Sequence, residues 1–294
     1  ELAEARPEAM TLWKRAEAIS GLPLREIYWE GDDAAMSDTR ALQPALTVVN
    51  INLWRELAGK GRPCAAAGHS LGEFSALAAA VLDPETVLQI VSLRGRLMAE
   101  ADPDGTGSMA AILKMKQEDV EALAREAAVE ADALLIVANY NTPAQFVVSG
   151  HRDAVALACQ KAKEHRGRAI ELKVSGAFHS PMMEKASREL EPLLRKAVWR
   201  KPQFPVYCNL HGRAVTDGES AKESLLKQMT SSVLWIETVR NQYADGVRRW
   251  VEVGPKAVLG KMVPACLNHL DEAARQELRV ELVNSLESVE NFSA

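Results

Sequence analysis

The sequence predicts an α/β protein in two parts: a large subdomain on a mostly parallel sheet, with a small βαββαβ subdomain inserted into it. Three observations carry this. Helix-like and strand-like stretches alternate along most of the chain, the rhythm of a parallel sheet covered by helices. Gly68-His69-Ser70-Leu71-Gly72 has the Gly-x-Ser-x-Gly spacing of a nucleophile elbow, in which serine takes the apex of a cramped strand-to-helix turn. Residues 106–175 keep the element order of a ferredoxin-like split βαβ unit.

Taken in order, residues 8–20 and 43–58 read as helices joined by a loop containing Gly31-Asp32-Asp33. Cys64-Ala65-Ala66-Ala67 suits a short buried strand, and the stretch from Glu73 to Ala80 is rich in helix formers. Gly68 and Gly72 would each remove a Cβ that collides in so tight a turn. Asp83-Pro84-Glu85 supplies an N-cap and a proline at the first helical position. The helix that follows carries Ile90, Val91, Leu93, Leu97 and Met98 on one stripe and should run to about Ala101. Asp102-Pro103-Asp104-Gly105-Thr106-Gly107 breaks it.

The inserted unit then reads as strand Ser108–Leu113, helix Gln117–Ala128, strands Leu134–Ala138 and Gln145–Ser149, helix Arg152–His165 and strand Ala169–Val174. Beyond it, Ser180-Pro181 starts a helix to about Val198, Phe204–Asn209 is a strand, and residues 219–229 and Ile236–Tyr243 are helices. Arg249–Val253 is a strand ending at Gly254-Pro255, with a helix from about Ala257. The predicted division is therefore 1–105 with 176–294 as the large subdomain and 106–175 as the small one.

Composition narrows the function classes. With 47% apolar and 26% charged residues, the chain of 294 has an ordinary globular balance and enough length for a large core. A net charge of −5 gives no general reason to expect nucleic acid as a partner. No apolar run approaches the roughly 20 residues of a membrane span, so no membrane partner is expected. Cys64, Cys159, Cys208 and Cys266 are far apart and form no CxxC pair, which suits reduced thiols in the cytoplasm better than disulfides or a zinc site.

A serine hydroxyl needs a base to take its proton, and histidine is the side chain best matched to neutral pH. Of six histidines, His69 adjoins the serine, but neighbouring side chains leave the backbone in different directions, so it should pack or hydrogen-bond locally. His151, His165, His211 and His269 read as surface or loop residues. His179 follows the strand Ala169–Val174, which would place it at a strand's carboxyl end on the same edge of the sheet as the elbow. Its plainer reading is a histidine in a helix-capping turn, and the plainer reading of Ser70 is a serine in an ordinary strand-to-helix turn.

Several blocks, in order along nearly the whole chain, carry a resemblance. They are Gly68-His69-Ser70-Leu71-Gly72-Glu73, Arg94-Gly95-Arg96-Leu97-Met98, Gly105-Thr106-Gly107-Ser108-Met109-Ala110-Ala111-Ile112, Asn141-Thr142-Pro143, Ser175-Gly176-Ala177-Phe178-His179-Ser180-Pro181 and Glu252-Val253-Gly254-Pro255. The sequence resembles the malonyl-CoA:acyl-carrier-protein transacylases. The resemblance implies an α/β-hydrolase-like large subdomain and a ferredoxin-like small one. It also implies malonyl transfer from malonyl-CoA to the phosphopantetheine thiol of an acyl carrier protein, through a serine ester.

By the same resemblance Ser70 is the acyl-accepting serine, His179 its base, and Gln228 the glutamine whose backbone carbonyl orients the histidine, making a dyad rather than a triad. Arg94 would pair with the malonyl carboxylate, although by itself it reads as a surface arginine on a helix. The Leu71 N–H would be one oxyanion donor. Phe178 matches the malonyl-selecting form of its motif, and Asn141 and His69 are placed on the substrate side of the site. No metal or cofactor is implied, the CoA thioester being the substrate.

The sequence departs from the family pattern in two places. Family members begin with a strand and a Gly-Gln-Gly-Ser-Gln-like loop that supplies the second oxyanion donor; Glu1-Leu2-Ala3 already lies past that point, and the numbering is expected to begin after such a segment. Lys256 and Ala257 follow Pro255 where a glycine is often found. Arg240, Arg248, Arg249, Lys256 and Lys261 read either as a basic patch for an acidic carrier or as scattered solvated charges. The rival readings are a trans-acting acyltransferase or acyl hydrolase of a polyketide system, and a non-catalytic carrier-binding scaffold.

Overall fold

The computed structural model describes residues 2–293. Its N-terminal part is a layer of helices. Pro7–Ser20 ends at Gly21, whose left-handed backbone (φ 71°) closes the helix. Where a loop was expected around Gly31-Asp32-Asp33, two short helices form, Leu24–Glu30 and Asp33–Ser37, the second capped by the Asp32 side chain on the Ala35 N–H. Thr39–Ala58 starts four residues ahead of its periodic apolar run because Asp38 caps it, accepting from the Arg40 N–H.

The elbow strand is only Ala66–Ala67, paired in parallel with Val206–Tyr207, which pairs antiparallel with Ala214–Val215. The elbow helix Leu71–Ala80 packs on helix Pro84–Glu100, and its Phe74 and Leu77 share one core with Ile90 and Val91 of that helix and with Leu190 and Leu194 of helix Glu184–Lys196. A second parallel pair joins Arg249–Val253 to Arg279–Val283. Arg279–Val283 is a strand the sequence reading passed over, since three of its five residues are exposed and it lacks a continuous apolar run. The helix expected from about Ala257 is confined to Met262–Cys266, because Glu252 caps the preceding turn through the N–H groups of Val258, Leu259 and Gly260.

The small subdomain is a four-stranded antiparallel sheet in the order Leu135–Thr142, Gln145–His151, Gly107–Leu113, Arg168–Glu171. That is the ferredoxin-like arrangement. Side chains alternate across a strand. Ala110, Ile112, Phe146 and Val148 therefore pack under helices Gln117–Glu130 and Arg152–Glu164, while Met109, Ala111, Ala138 and Val147 form a second buried layer against Phe178. This second layer faces the large subdomain. The junction is hydrogen-bonded as well: the Tyr140 N–H donates to Val233 O (3.0 Å) and the Val233 N–H to Ala138 O (2.8 Å). The core beneath the small sheet continues into Val233, Trp235, Ile236 and Val239. Among the described residues no helix is long and apolar enough to cross a membrane.

The two elbow glycines are not equivalent. A Cβ on Gly68 would overlap the backbone carbonyl of Gly72, whereas a Cβ on Gly72 would meet nothing within 4 Å. Collision therefore explains Gly68 alone. Gly68→Ala is expected to lower stability by about 2 kcal/mol or more. Gly72→Ala, replacing a helical glycine in open space, should raise it by roughly 0.5–1 kcal/mol. Thermal unfolding of the two single variants checks this, and equal destabilisation would contradict the asymmetry.

Candidate active site

Ser70 occupies the N-cap of the elbow helix with φ 50° and ψ −105°, a strained conformation for a residue bearing a Cβ. Its hydroxyl makes no capping bond to the helix. Instead Ser70 Oγ lies 2.7 Å from His179 Nε2, so the reading of Ser70 as a serine in an ordinary strand-to-helix turn does not describe it. The histidine is itself strained, with φ 56°, and is buried.

His179 does not reach the serine by the route the sequence suggested. The strand before it, Arg168–Glu171, is the edge of the small sheet and pairs with Gly107–Leu113, so it shares no sheet with the elbow. The turn from Ser175 to Ser180 carries the histidine across the junction. Three contacts hold that turn: Ser149 Oγ donates to Phe178 O (2.7 Å), Ser180 Oγ donates to Ala177 O (2.6 Å), and Ser180 Oγ accepts from the Met182 N–H (3.2 Å). A short 3-10 turn, Pro181–Met183, then leads into helix Glu184–Lys196.

His179 Nδ1 donates to the backbone carbonyl of Gln228 at 3.1 Å and to that of Ser231 at 3.2 Å. A carbonyl only accepts, so Nδ1 carries the proton and Nε2 keeps its lone pair for the serine O–H. Gln228 ends helix Gly218–Gln228, where carbonyls lack intrahelical donors and the helix dipole favours a developing imidazolium. Burial first, then the Arg94 cation, then His69 push the His179 pKa down to about 3. The imidazole is therefore neutral, a free base, throughout the physiological range.

Arg94 is not the surface side chain that its helix position suggested. It is 1% exposed, while Arg96 two residues on is in solvent. A Cβ on Gly95 would collide with Thr39 O, so this glycine allows helix Pro84–Glu100 to close on Thr39–Ala58. The approach sets Arg94 Nη1 on Gln43 Oε1 at 2.7 Å. Nη2 donates to Ser70 Oγ (3.2 Å) and Gln228 Oε1 (3.3 Å), and the guanidinium lies over the Phe74 ring, 5.1 Å from its centroid. Nε has no partner among the described residues, and burial lowers the Arg94 pKa to about 10, opposed by Glu73.

Asn209 was missed from sequence, and no local pattern marks it. It sits just past the strand Val206–Tyr207 beside the elbow. Its Oδ1 accepts from the Ser70 N–H (2.6 Å) and its Nδ2 donates to Gly68 O (2.7 Å), replacing strand pairing where the elbow turns away. With the Ser70 N–H so engaged, and the Gly72 and Glu73 N–H groups on His69 O and Ser70 O, the Leu71 N–H is the remaining donor of that first turn.

His69 and Asn141 meet at the side of the elbow, with Nε2 donating to Oδ1 at 2.8 Å, and neither hydrogen-bonds to Ser70. His69 also packs against Trp235, centroids 5.7 Å apart. Of the five basic residues considered as a patch, three are engaged within the molecule. Arg249 pairs with Glu281 (2.7 Å), Arg248 with Glu277 (3.7 Å), and Arg240 Nε donates to Cys266 O (3.2 Å). Among the described residues no group of three or more His, Cys, Asp or Glu is placed to hold a metal ion.

Comparison with known proteins gives this site a context. The malonyl CoA-acyl carrier protein transacylase of Bacillus subtilis strain 168 is 37% identical over 266 residues, covering 90% of this chain and 84% of that protein. Its namesake in Escherichia coli K12 is 34% identical over 284 residues, 94% of this chain and 90% of that one. Among solved structures, the acyl carrier protein S-malonyltransferase of Vibrio cholerae superposes with a TM-score of 0.89 at 33% identity, covering 99% of this chain and 93% of that one. A malonyl-transacylase solved in complex with a type II PKS acyl-carrier protein gives a TM-score of 0.90 at 32% identity, covering 99% of this chain and 92% of that one. The family model described as the acyl transferase domain matches residues 2–289. Matched over almost its whole length by that model, the chain belongs to the acyl transferase domain family.

Proposed function

We propose that this protein transfers a malonyl group from malonyl-CoA to the phosphopantetheine thiol of an acyl carrier protein, by way of an ester on Ser70. The observation that carries the mechanism is the relay Ser70 Oγ, His179 Nε2, His179 Nδ1 and Gln228 O, with links of 2.7 Å and 3.1 Å. His179 takes the serine proton as Oγ attacks the thioester carbonyl. The positive charge formed on the ring faces the carbonyl end of helix Gly218–Gln228. The tetrahedral oxyanion receives the Leu71 N–H. The C–S bond breaks, His179 returns its proton to the departing CoA sulfur, and a malonyl-serine ester remains. In the second half-reaction the carrier thiol attacks that ester and His179 again moves the proton. The kinetics are ping-pong.

Arg94 receives the malonyl carboxylate. A planar guanidinium offers two parallel charge-assisted bonds to a carboxylate. The ring of Phe178, packed on the second face of the small sheet, limits room for a branch on the acyl carbon. His69 and Asn141 form the wall beside the elbow. In this reading residues 1–105 and 176–294 carry the nucleophile and base, and the insert 106–175 closes over the acyl group. The four cysteines of the chain, Cys64, Cys159, Cys208 and Cys266, are free thiols, in keeping with a reducing compartment, and we place the activity in the cytoplasm.

Mixing the protein with malonyl-CoA should add one malonyl mass to the intact chain, mapped to Ser70. Ser70→Ala should abolish both the adduct and carrier loading. Loading that survives this substitution would support the scaffold reading, and an ester lost to water without a carrier thiol would support a hydrolase.

Arg94→Ala should lower the ratio of malonyl to acetyl transfer by about ten- to a hundredfold, since a hydrogen bond to a charged group contributes roughly 1.5–3 kcal/mol. Competition between the two thioesters measures that ratio, and an unchanged value would remove the carboxylate-binding role.

The acid side of the pH profile follows from the depressed His179 pKa. A base works deprotonated, so activity falls only as pH drops through that value, about 3 in the free protein. The acidic limb of kcat/KM for Ser70 acylation should therefore lie within or below the carboxylate range. A limb centred near the ordinary histidine value of about 6.5 would contradict the assignment.

A further inference from the structure

Glu73 closes the elbow motif and has no part in the mechanism above, yet it is buried at 1% exposure directly under the reacting groups. One oxygen, Oε2, accepts from both Gln228 Nε2 (2.9 Å) and the Asn209 N–H (3.2 Å). Each of those two residues then grips the elbow. Gln228 Nε2 also donates to Ser70 O (3.0 Å), while Asn209 holds the Ser70 N–H and Gly68 O. Gln228 further presents its carbonyl to His179 and its Oε1 to Arg94. A single carboxylate thus stands behind the nucleophile's backbone, the base's orientation and the guanidinium.

The charge pattern points the same way. Among the described residues no carboxylate lies within ion-pair distance of Arg94, whose contacts are the neutral oxygens of Gln43, Ser70 and Gln228. Glu73 is the anion that opposes the lowering of the Arg94 pKa, reaching it through Gln228. Burial pushes the Glu73 carboxyl up, opposed by Gln228, the Asn209 N–H, Cys208 and the Arg94 cation; only donors face its Oε2, the geometry an ionised carboxylate requires.

We propose that Glu73 is a positioning residue for this reaction: a buried anion that draws Gln228 and Asn209 together to hold Ser70 and His179 in register, and that balances the Arg94 cation. This rests on Arg94 meeting the acyl carboxylate and Ser70 being the nucleophile. Two effects separate. Removing the charge while keeping the shape leaves Arg94 unbalanced, so an incoming carboxylate binds more tightly, while the imidazolium formed in the transition state is less stabilised. Removing the shape as well lets Gln228 and Asn209 drift, which slows every acyl donor.

The test is single-turnover acylation of the full chain, followed by intact mass, with malonyl-CoA and acetyl-CoA. Wild-type protein must first form the malonyl adduct on Ser70; its failure to do so would remove the transacylase reading rather than this one. In Glu73→Gln the limiting rate should fall about tenfold for both donors, and the half-saturating concentration should fall several-fold for malonyl-CoA alone. Glu73→Ala should be slower still for both, with Gln restoring part of the loss. A Glu73→Gln protein with wild-type rates and half-saturation, or one in which both donors weaken alike, overturns the proposal. Should Glu73→Gln fail to fold, Glu73→Gln/Arg94→Met is expected to fold, since the unbalanced cation is gone. A double variant that also fails overturns the balancing role.

Discussion

The 2.7 Å contact between Ser70 Oγ and His179 Nε2, within the large subdomain where the small one joins it, is the constraint around which the rest of the molecule is arranged. Its partners come from turns 109 residues apart, and both have positive φ. Such backbone costs about 1–3 kcal/mol per residue and persists only where the surroundings over-determine it. Here they do. The serine is held at its N–H by Asn209 and at its carbonyl by Gln228. The histidine is held at Nδ1 by two carbonyls, and its neighbour Phe178 by Ser149. The small subdomain is part of this frame, since Ser149 belongs to the middle of its sheet.

Local chemistry was legible in the sequence and remote chemistry was not. The elbow, the Asp83 cap and the element order of the insert could be read from short runs of residues, and the pairing of Ser70 with His179 came from the family resemblance. The route joining that pair could not, because strand Arg168–Glu171 looks the same whether it belongs to one sheet or another. Arg94 carried a signal that went unused: it falls three or four residues from Ile90, Val91, Leu97 and Met98 on the buried stripe of its helix, and Arg96 falls off that stripe. How closely a second helix approaches it, through Gly95, could not be read. Glu73 carried the same kind of signal, lying three and four residues before Ala76 and Leu77 on the buried face of its helix; Gln43, with Thr39, Arg40, Leu46 and Thr47 at that spacing, did not. Asn209 carried none.

The buried guanidinium decides what the cleft is prepared to receive. Removing a cation from water is costly, and neutral amide and hydroxyl oxygens repay only part of it. Arg94 has such oxygens at Nη1 and Nη2 and nothing at Nε, and its distant anion reaches it only through an amide. Full compensation requires an anion within the cleft. In the proposed reaction an acyl group ending in a carboxylate supplies it as the thioester carbonyl arrives at Ser70, and an acyl group ending in a methyl does not. Burial and then the Arg94 cation hold the His179 pKa down, and the same anion offsets the second of these, making the imidazole a stronger base when the carboxylate is present. Recognition and activation thus draw on one interaction, and a lysine would serve it less well. An ammonium has three donors, and Gln43, Ser70 and Gln228 would use all of them, leaving none for the substrate.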